Sequence, residues 1–260
     1  MDPISNGRRR MLGWGGLALA GLGGVAGLRW GLPQVRVALS PDLAFAPLSQ
    51  PPGFRRLAGQ GRASGGVDPF LGMGGGAQDV AAPPDDLCAA LFGGPAPEGI
   101  VPAAYFTDYN CPFCRVLGGH LRRLEAGAGG ALRLQWHELP LLGPDSVLAA
   151  QAALAAKRQG AYDAFHRRLD RARFQMTPAY IATLAEGVGL DPDRLAADMT
   201  GPAVARDLGD SAALARIFGI SGTPGLVLGR TVVLGVISEP ALARLLAREV
   251  ADGPVPACGG

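Results

Sequence analysis

The sequence predicts one α/β domain over residues 100–252, and three observations lead to this fold class. An apolar run of strand length leads into a helix and a second strand, a long block of helical patterns follows, and a hairpin and a helix end the domain. Composition points to the same part of the chain. Glycine and proline account for 32 of the first 99 residues, but for only 30 of the remaining 161.

The first predicted unit is strand, helix, strand. The strand spans 100–107, where an unbroken apolar run ends at Asp108. A helix is predicted to open at the cysteine pair of Cys111 and Cys114 and to end near residue 127. Its apolar residues recur at helical spacing: Val116, Leu117, Leu121 and Leu124. Alternating apolar residues over 132–136 predict the second strand.

The remaining elements are a helical insertion, a hairpin and a last helix. The insertion is predicted at about 144–218, because helical patterns recur there between Gly, Pro and Asp breaks. A two-residue connection, Gly229-Arg230, joins two short apolar runs and predicts a hairpin. An amphipathic helix is predicted from Glu239 to Val250, followed by a tail at 253–260.

The N-terminal residues 1–30 have the pattern of an export signal or membrane anchor. Arg8, Arg9 and Arg10 precede 18 uncharged residues, an order that resembles the twin-arginine signal. Cleavage and retention as an anchor both stay open, and either places the bulk of the chain outside the cytoplasm. Residues 31–99 show no lasting periodicity, so we predict a Gly/Pro-rich tether there.

Charge excludes one class of partner. The 24 basic and 22 acidic residues are interspersed and leave a formal net charge of +2, so the chain offers no single-sign surface for a phosphate backbone. We therefore predict no nucleic-acid partner, and membrane contact only through the N-terminal anchor.

The Cys111-Pro112-Phe113-Cys114 motif carries the predicted chemistry. A thiolate attacks disulfides, and a helix N-terminus stabilises negative charge on a sulfur in its first turn. Cys111 is predicted to be the attacking and more exposed sulfur, with Cys114 resolving the mixed disulfide. Two alternatives are half of a zinc site and an inert disulfide, but Cys88 and Cys258 lack the paired spacing of zinc ligands.

Four separated motifs resemble, in order, the DsbA-type thioredoxin-fold proteins of the bacterial periplasm. They are residues 106–114, 138–146, 165–166 and 219–224. The resemblance implies a thioredoxin-like core with an inserted helical domain and a cis peptide bond at Pro224, where an ordinary turn proline is the alternative. It also implies that Thr223 and Pro224 present backbone to an extended substrate and that Pro112 and Phe113 belong to the same surface.

The sequence departs from this family at two positions. Tyr105 stands where the family usually has a buried acid that relays protons, and Asp108 and Glu138, which we expect to be solvated loop acids, are the candidate replacements. Phe113 stands where the strongest oxidants have His, so a less oxidising disulfide is expected. No catalytic role is predicted for three histidines, which we expect at a surface or groove (His120) or in packing and capping (His137, His166).

The remaining cysteines, Cys88 and Cys258, flank the predicted domain. An oxidising compartment favours a structural disulfide between them, and a free tail thiol is the alternative.

The sequence as a whole predicts an exported, periplasmic thiol:disulfide oxidoreductase that needs no metal or organic cofactor. Its expected partners are cysteine-containing envelope proteins and a redox protein that regenerates the cysteine pair. Oxidation is favoured over reduction or isomerisation, and a module that binds copper(I) or zinc through its thiolates is the rival from another class.

Overall fold

The computed structural model describes residues 43–59, 61–64, 84–127, 129–172, 175–255 and 258. The predicted export signal or anchor at 1–30 lies outside these residues. The strands are β1 (Phe45–Pro47), β2 (Arg55–Leu57), β3 (Val101–Thr107), β4 (Leu132–Glu138), β5 (Gly225–Leu228) and β6 (Thr231–Leu234). The helices are α1 (Leu87–Phe92), α2 (Pro112–Gly127), α3 (Pro144–Arg158), α4 (Tyr162–Arg171), α5 (Pro178–Glu186), α6 (Pro192–Met199), α7 (Pro202–Ile217) and α8 (Glu239–Asp252).

The strands form one mixed sheet in the order β1-β2-β6-β5-β3-β4. β3 and β4 are parallel and α2 connects them, whereas β5 lies antiparallel to both β3 and β6. Phe106 near the end of β3 pairs with Gly225 at the start of β5. This register brings the residues after β3 next to those before β5, although more than 100 positions separate them in sequence.

Both faces of the sheet are covered, which explains the apolar character of β3. Ala103 and Tyr105 pack in a cluster with residues of α2 and α8, and Ala104 and Phe106 pack on the opposite face with residues of α1 and α7. All seven residues of β3 are therefore buried. A strand covered on both sides needs a continuous apolar run, and the sequence shows that pattern.

The inserted helices have a core of their own. Helix α3 lies at its centre, and its many buried alanines let neighbouring helices approach closely. Phe165, Leu169 and Leu195 fill the space around it. The α/β class with a helical insertion is therefore as predicted.

The tether predicted for 31–99 is wrong for the described parts of that segment. β2 pairs with β6, β1 extends the sheet from β2, and α1 covers a face of the sheet with Leu91 and Phe92 fully or almost fully buried. The compact unit begins at Leu43, well before residue 100. Strands of three residues are too short to show a periodicity, and the surrounding Gly and Pro residues dilute the apolar signal.

A disulfide joins Cys88 on α1 to Cys258 near the C-terminus, with Cα atoms 5.5 Å apart. Val255 is buried in the same cluster as Leu91 and Phe92. The end of the chain, predicted as a tail, is thus fastened to α1 at this point.

Candidate active site

The cysteine pair lies where β3 leads into α2. Cys111 directly precedes Pro112, the first residue of α2, and the Cys111 N–H donates to the Asp108 carbonyl at 3.1 Å. Pro112 suits the first helical position, because the N–H that it lacks would have no partner in the helix. Cys114 occupies the first turn, and its N–H donates to the Cys111 carbonyl at 3.2 Å and to Cys111 Sγ at 3.3 Å.

The surroundings of Cys111 favour a thiolate. The hydrogen bond with the Cys114 side chain lowers the pKa of Cys111, the side chains of Ser64 and Thr223 act in the same direction, and burial opposes them, so that the pKa is about 6. At pH 7 the sulfur is therefore mostly ionised, whereas an ordinary cysteine is mostly protonated.

Cys114 behaves in the opposite way. Burial raises the pKa of Cys114 far above the ordinary thiol value, and its interaction with Cys111 raises it further. The two sulfurs thus share one proton, which stays on Cys114. This arrangement suits Cys111 to nucleophilic attack and keeps Cys114 protonated until a mixed disulfide forms.

Both cysteines are buried, so the exposure expected for Cys111 at the start of the helix is not found. The exposed fraction of Cys111 is 0%, against 3% for Cys114. Residues 61–64, here called the covering segment, reach the site and place Ser64 Oγ 3.5 Å from Cys111 Sγ. The helix start alone would leave the sulfur open, but this distant part of the chain covers it.

Thr223 lies against Cys111 and is followed by the proline that the resemblance implies to be cis. The Thr223-Pro224 peptide bond is cis, both residues are buried, and the Thr223 carbonyl oxygen lies 3.3 Å from Cys111 Sγ. Phe113 is half-buried and Pro112 is exposed, both in the first turn of α2. The structure therefore brings Cys111, Cys114 and Thr223 together at one end of the sheet.

Tyr105 lies beneath the pair at the position where the family has an acid. Its hydroxyl donates to the Cys114 carbonyl oxygen at 2.8 Å, and its ring packs edge-on against Trp136. Burial and the nearby Cys114 raise the pKa of Tyr105 well above its ordinary value. The residue is thus a neutral hydrogen-bond donor that supports the first turn of α2.

Asp108 and Glu138 are not solvated loop acids; they are 2% and 1% exposed. Asp108 accepts hydrogen bonds from the N–H groups of Asn110, Leu141 and Leu142 and from the Ser146 hydroxyl, at 2.7–3.0 Å. It therefore fastens the turn before Cys111 to the loop after β4.

Replacing Asp108 by alanine is expected to lower the free energy of unfolding by about 2–4 kcal/mol, because four donors lose a charged acceptor in a buried place. Urea unfolding of the two proteins measures the difference. Asp210→Ala, an exposed acid on α7, is the matched control and should change stability by less than about 0.5 kcal/mol. Equal losses in the two variants would contradict this role of Asp108.

Glu138 belongs to a buried polar cluster that sequence reasoning missed. The hydroxyls of Tyr109 and Tyr162 donate to Glu138 Oε1 at 2.7 and 2.6 Å, and Tyr109 Oη lies 2.6 Å from His166 Nδ1. His166 thus takes part in a hydrogen-bond network rather than only in packing. No periodic pattern signals such a cluster, because its members come from a loop, β4 and α4.

The other two histidines bond to backbone. His137 is buried, and its Nε2 lies 2.9 Å from the Leu91 carbonyl oxygen. His120 is partly buried, with Nδ1 3.1 Å from the Ile237 carbonyl oxygen.

Two further observations concern membranes and metals. Among the helices of the described residues, none has both the length and the apolar character that crossing a bilayer requires. Nowhere in the same residues do three or more His, Cys, Asp or Glu side chains form a group suited to a metal ion.

Comparison with known proteins identifies the family of this domain. Residues 104–247, more than half of the chain, match the DSBA-like thioredoxin domain. The chain is similar to a thioredoxin-like oxidoreductase from Silicibacter pomeroyi DSS-3, with 37% identity and a TM-score of 0.56 over 62% of this chain and 95% of that one. It is also similar to a periplasmic thioredoxin-like protein from Salmonella enterica serovar Typhimurium, with 26% identity and a TM-score of 0.52 over 63% of this chain and 95% of that one.

A third similarity covers only part of a longer protein. The Na(+)/H(+) antiporter NhaA 3 of Salinispora tropica is 30% identical over 129 residues, which are 49% of this chain and 20% of the antiporter. The matched region thus spans about a fifth of the antiporter's length.

Proposed function

The chain belongs to the DSBA-like thioredoxin domain family, and on that premise we propose that it is a thiol:disulfide oxidoreductase that oxidises cysteine pairs in exported proteins. Cys111 and Cys114 are its catalytic residues. The observation that carries the proposal is the position of the Cys111–Cys114 pair at the start of α2, with the Cys114 N–H 3.3 Å and the Thr223 carbonyl oxygen 3.3 Å from Cys111 Sγ. The lowered pKa of Cys111, about 6, beside the raised pKa of Cys114 agrees with it.

The reaction starts from the Cys111–Cys114 disulfide. A substrate thiolate attacks Cys111 Sγ, the bond between the two cysteines breaks, and Cys114 leaves and takes up a proton. The second substrate thiolate then attacks the substrate sulfur of the mixed disulfide, and Cys111 leaves as a thiolate. The substrate loses two electrons, and the cysteine pair gains them.

Stabilisation of the Cys111 thiolate supports oxidation as the direction. A thiolate that the folded protein stabilises is a good leaving group, and a stabilised reduced form makes the corresponding disulfide a stronger oxidant. The N–H of Cys114 and the Ser64 hydroxyl lie within reach of that charge. Phe113 adds no positive charge, so the disulfide is a weaker oxidant than one with His at this position.

We assign substrate contact to four residues around the sulfur: Pro112, Phe113, Thr223 and Pro224. The substrates are extended segments of envelope proteins, and a separate redox protein reoxidises the cysteine pair. The periplasm is the proposed compartment, because it maintains disulfides such as Cys88–Cys258.

Replacing Cys114 by alanine is expected to trap substrates on Cys111 through the reverse exchange. The Cys111 thiolate attacks a substrate disulfide, the other substrate sulfur leaves, and no Cys114 thiol remains to resolve the mixed disulfide. Adducts from an envelope extract are detected by non-reducing electrophoresis and should disappear with dithiothreitol. Cys111→Ala is the control and should form none, and should also fail to accelerate oxidation of a dithiol peptide. The proposal is wrong if the Cys114 variant forms no adducts and the Cys111 variant still oxidises the peptide.

A further inference from the structure

The covering segment pairs with the active site through its backbone. Ser64 N–H donates to the Thr223 carbonyl at 2.7 Å, and Thr223 N–H donates to the Ser64 carbonyl at 3.0 Å, which makes an antiparallel β-bridge. Two further bonds continue along the chain: Gly61 N–H to the Leu234 carbonyl and Val236 N–H to the Arg62 carbonyl, both 3.1 Å. The segment therefore lies beside Thr223 and the end of β6 like a short added strand.

Side chains contribute little to this attachment. Arg62 and Ala63 are exposed, and Ser64 is half-buried with its hydroxyl beside Cys111. Main-chain pairing of this kind binds an extended peptide with little regard to its sequence. The groups that bind the segment are thus groups that could bind a different extended polypeptide equally well.

We infer that the covering segment is a built-in pseudosubstrate, with Ser64 in the position that the reactive cysteine of a bound substrate takes. This inference rests on the proposed function. A serine hydroxyl can contact Cys111 Sγ but cannot form a disulfide with it, so the segment covers the sulfur without reacting. Substrates are then extended segments whose cysteine residue exchanges both backbone hydrogen bonds with Thr223, and each must first displace residues 61–64.

Gly61 offers a way to test this displacement. A Cβ at this position would overlap the backbone oxygen, carbon and nitrogen of Val236, which cannot move aside as a flexible side chain could. A larger residue here must therefore push the segment away from the end of β6. Gly209 on α7 is the matched control, because a Cβ there meets nothing within 4 Å.

The first experiment compares wild type, Gly61→Val and Gly209→Val in the full chain. With the cysteine pair reduced, the rate of Cys111 alkylation by iodoacetamide at pH 8 should rise about tenfold or more in Gly61→Val, because the segment's hydrogen bonds no longer hold it over the sulfur. The Gly209 variant should react at the wild-type rate. Equal rates in all three proteins would overturn the inference.

A second experiment places a thiol at position 64 and does not depend on displacing the segment. In oxidised Ser64→Cys, the introduced thiolate attacks Cys111 Sγ, the Cys111–Cys114 bond breaks, and Cys114 takes up the proton, so no external oxidant is needed. Peptide mapping should find the new disulfide to Cys111. Ala63→Cys is the control, because neighbouring residues of an extended segment point to opposite sides. A Cys111 crosslink that forms equally from both positions would overturn the inference.

The outcomes separate this inference from the proposed function. Alkylation and crosslinking report on the position of the covering segment and do not require that the protein oxidises a substrate. If wild type and Gly61→Val both fail to oxidise a dithiol peptide, the proposed function fails, whatever the segment does. If wild type oxidises the peptide but neither variant behaves as described, only the pseudosubstrate is wrong.

Discussion

Replacing Cys88 and Cys258 together by serine is expected to lower the free energy of unfolding by about 2–5 kcal/mol. The disulfide joins residues 170 positions apart, so the unfolded chain without it gains the freedom of a very large loop. Equilibrium unfolding in urea, followed without reductant, measures the loss. The double variant leaves no unpaired thiol outside the active site, so non-native disulfides of a single remaining cysteine cannot affect the comparison with wild type.

The disulfide has this effect because it fastens the C-terminal end of the compact unit to α1. Cys88 is buried on α1, beside the buried Leu91 and Phe92, and Val255 from the C-terminal end packs in the same cluster. Dithiol oxidation below the unfolding temperature should stay at the wild-type level, because neither cysteine belongs to the active site. An unchanged free energy of unfolding would show that packing alone holds the C-terminal end against α1.

The stability of the reduced protein is expected to rise with pH, by on the order of 3 kcal/mol between pH 5 and pH 8 relative to Cys111→Ala. The pKa of Cys111 is lowered to about 6 in the folded protein, while an unfolded cysteine titrates near 8.5. Between these two pKa values the unfolded chain binds more protons at Cys111 than the folded protein does, so raising the pH favours folding. The contribution is fully present above the unfolded pKa and is lost as the pH falls through 6.

Cys114 limits this gain at high pH. Its raised pKa means that the unfolded thiol ionises above about 8.5 while the folded one does not, so stability falls again there. Unfolding in urea with excess dithiothreitol at a series of pH values tests the profile. Cys111→Ala lacks the thiolate, so its free energy of unfolding should not show the rise between pH 5 and pH 8 that wild type shows. Parallel profiles for the two proteins would contradict the lowered pKa of Cys111 in the folded protein.

The pH profile also bears on the direction of the reaction. By linkage, whatever stabilises the folded reduced form relative to the oxidised form makes the disulfide more oxidising. A rise in stability would therefore support the oxidase over a reductase or isomerase.

The elements around the site were largely predictable, because their signals are local. β3 has a continuous apolar run, α2 opens at a cysteine pair, and Gly229-Arg230 connects two short strands. Each signal depends on neighbours within a few residues, where periodicity and turn chemistry are informative. The meeting of Cys111 with Thr223 was accessible only through the family resemblance, since 112 positions separate them.

The covering segment and the buried acids were not predictable for a different reason. Ser64 pairs with Thr223 through backbone groups, which every residue has, so its sequence carries no mark of the contact. Asp108 and Glu138 look like ordinary solvated acids in sequence. Their burial depends on donors from distant elements, such as Ser146 and Tyr162, that only the folded chain brings to them.

Titration of Cys111 in the reduced protein tests most directly whether this sulfur is a stabilised thiolate. Thiolate absorbance near 240 nm, taken as the difference between wild type and Cys111→Ala, follows this sulfur alone. We expect a midpoint at a pKa of about 6. A midpoint near the ordinary thiol value of about 8.5 would contradict this expectation, because no stabilised thiolate would then exist at the start of α2.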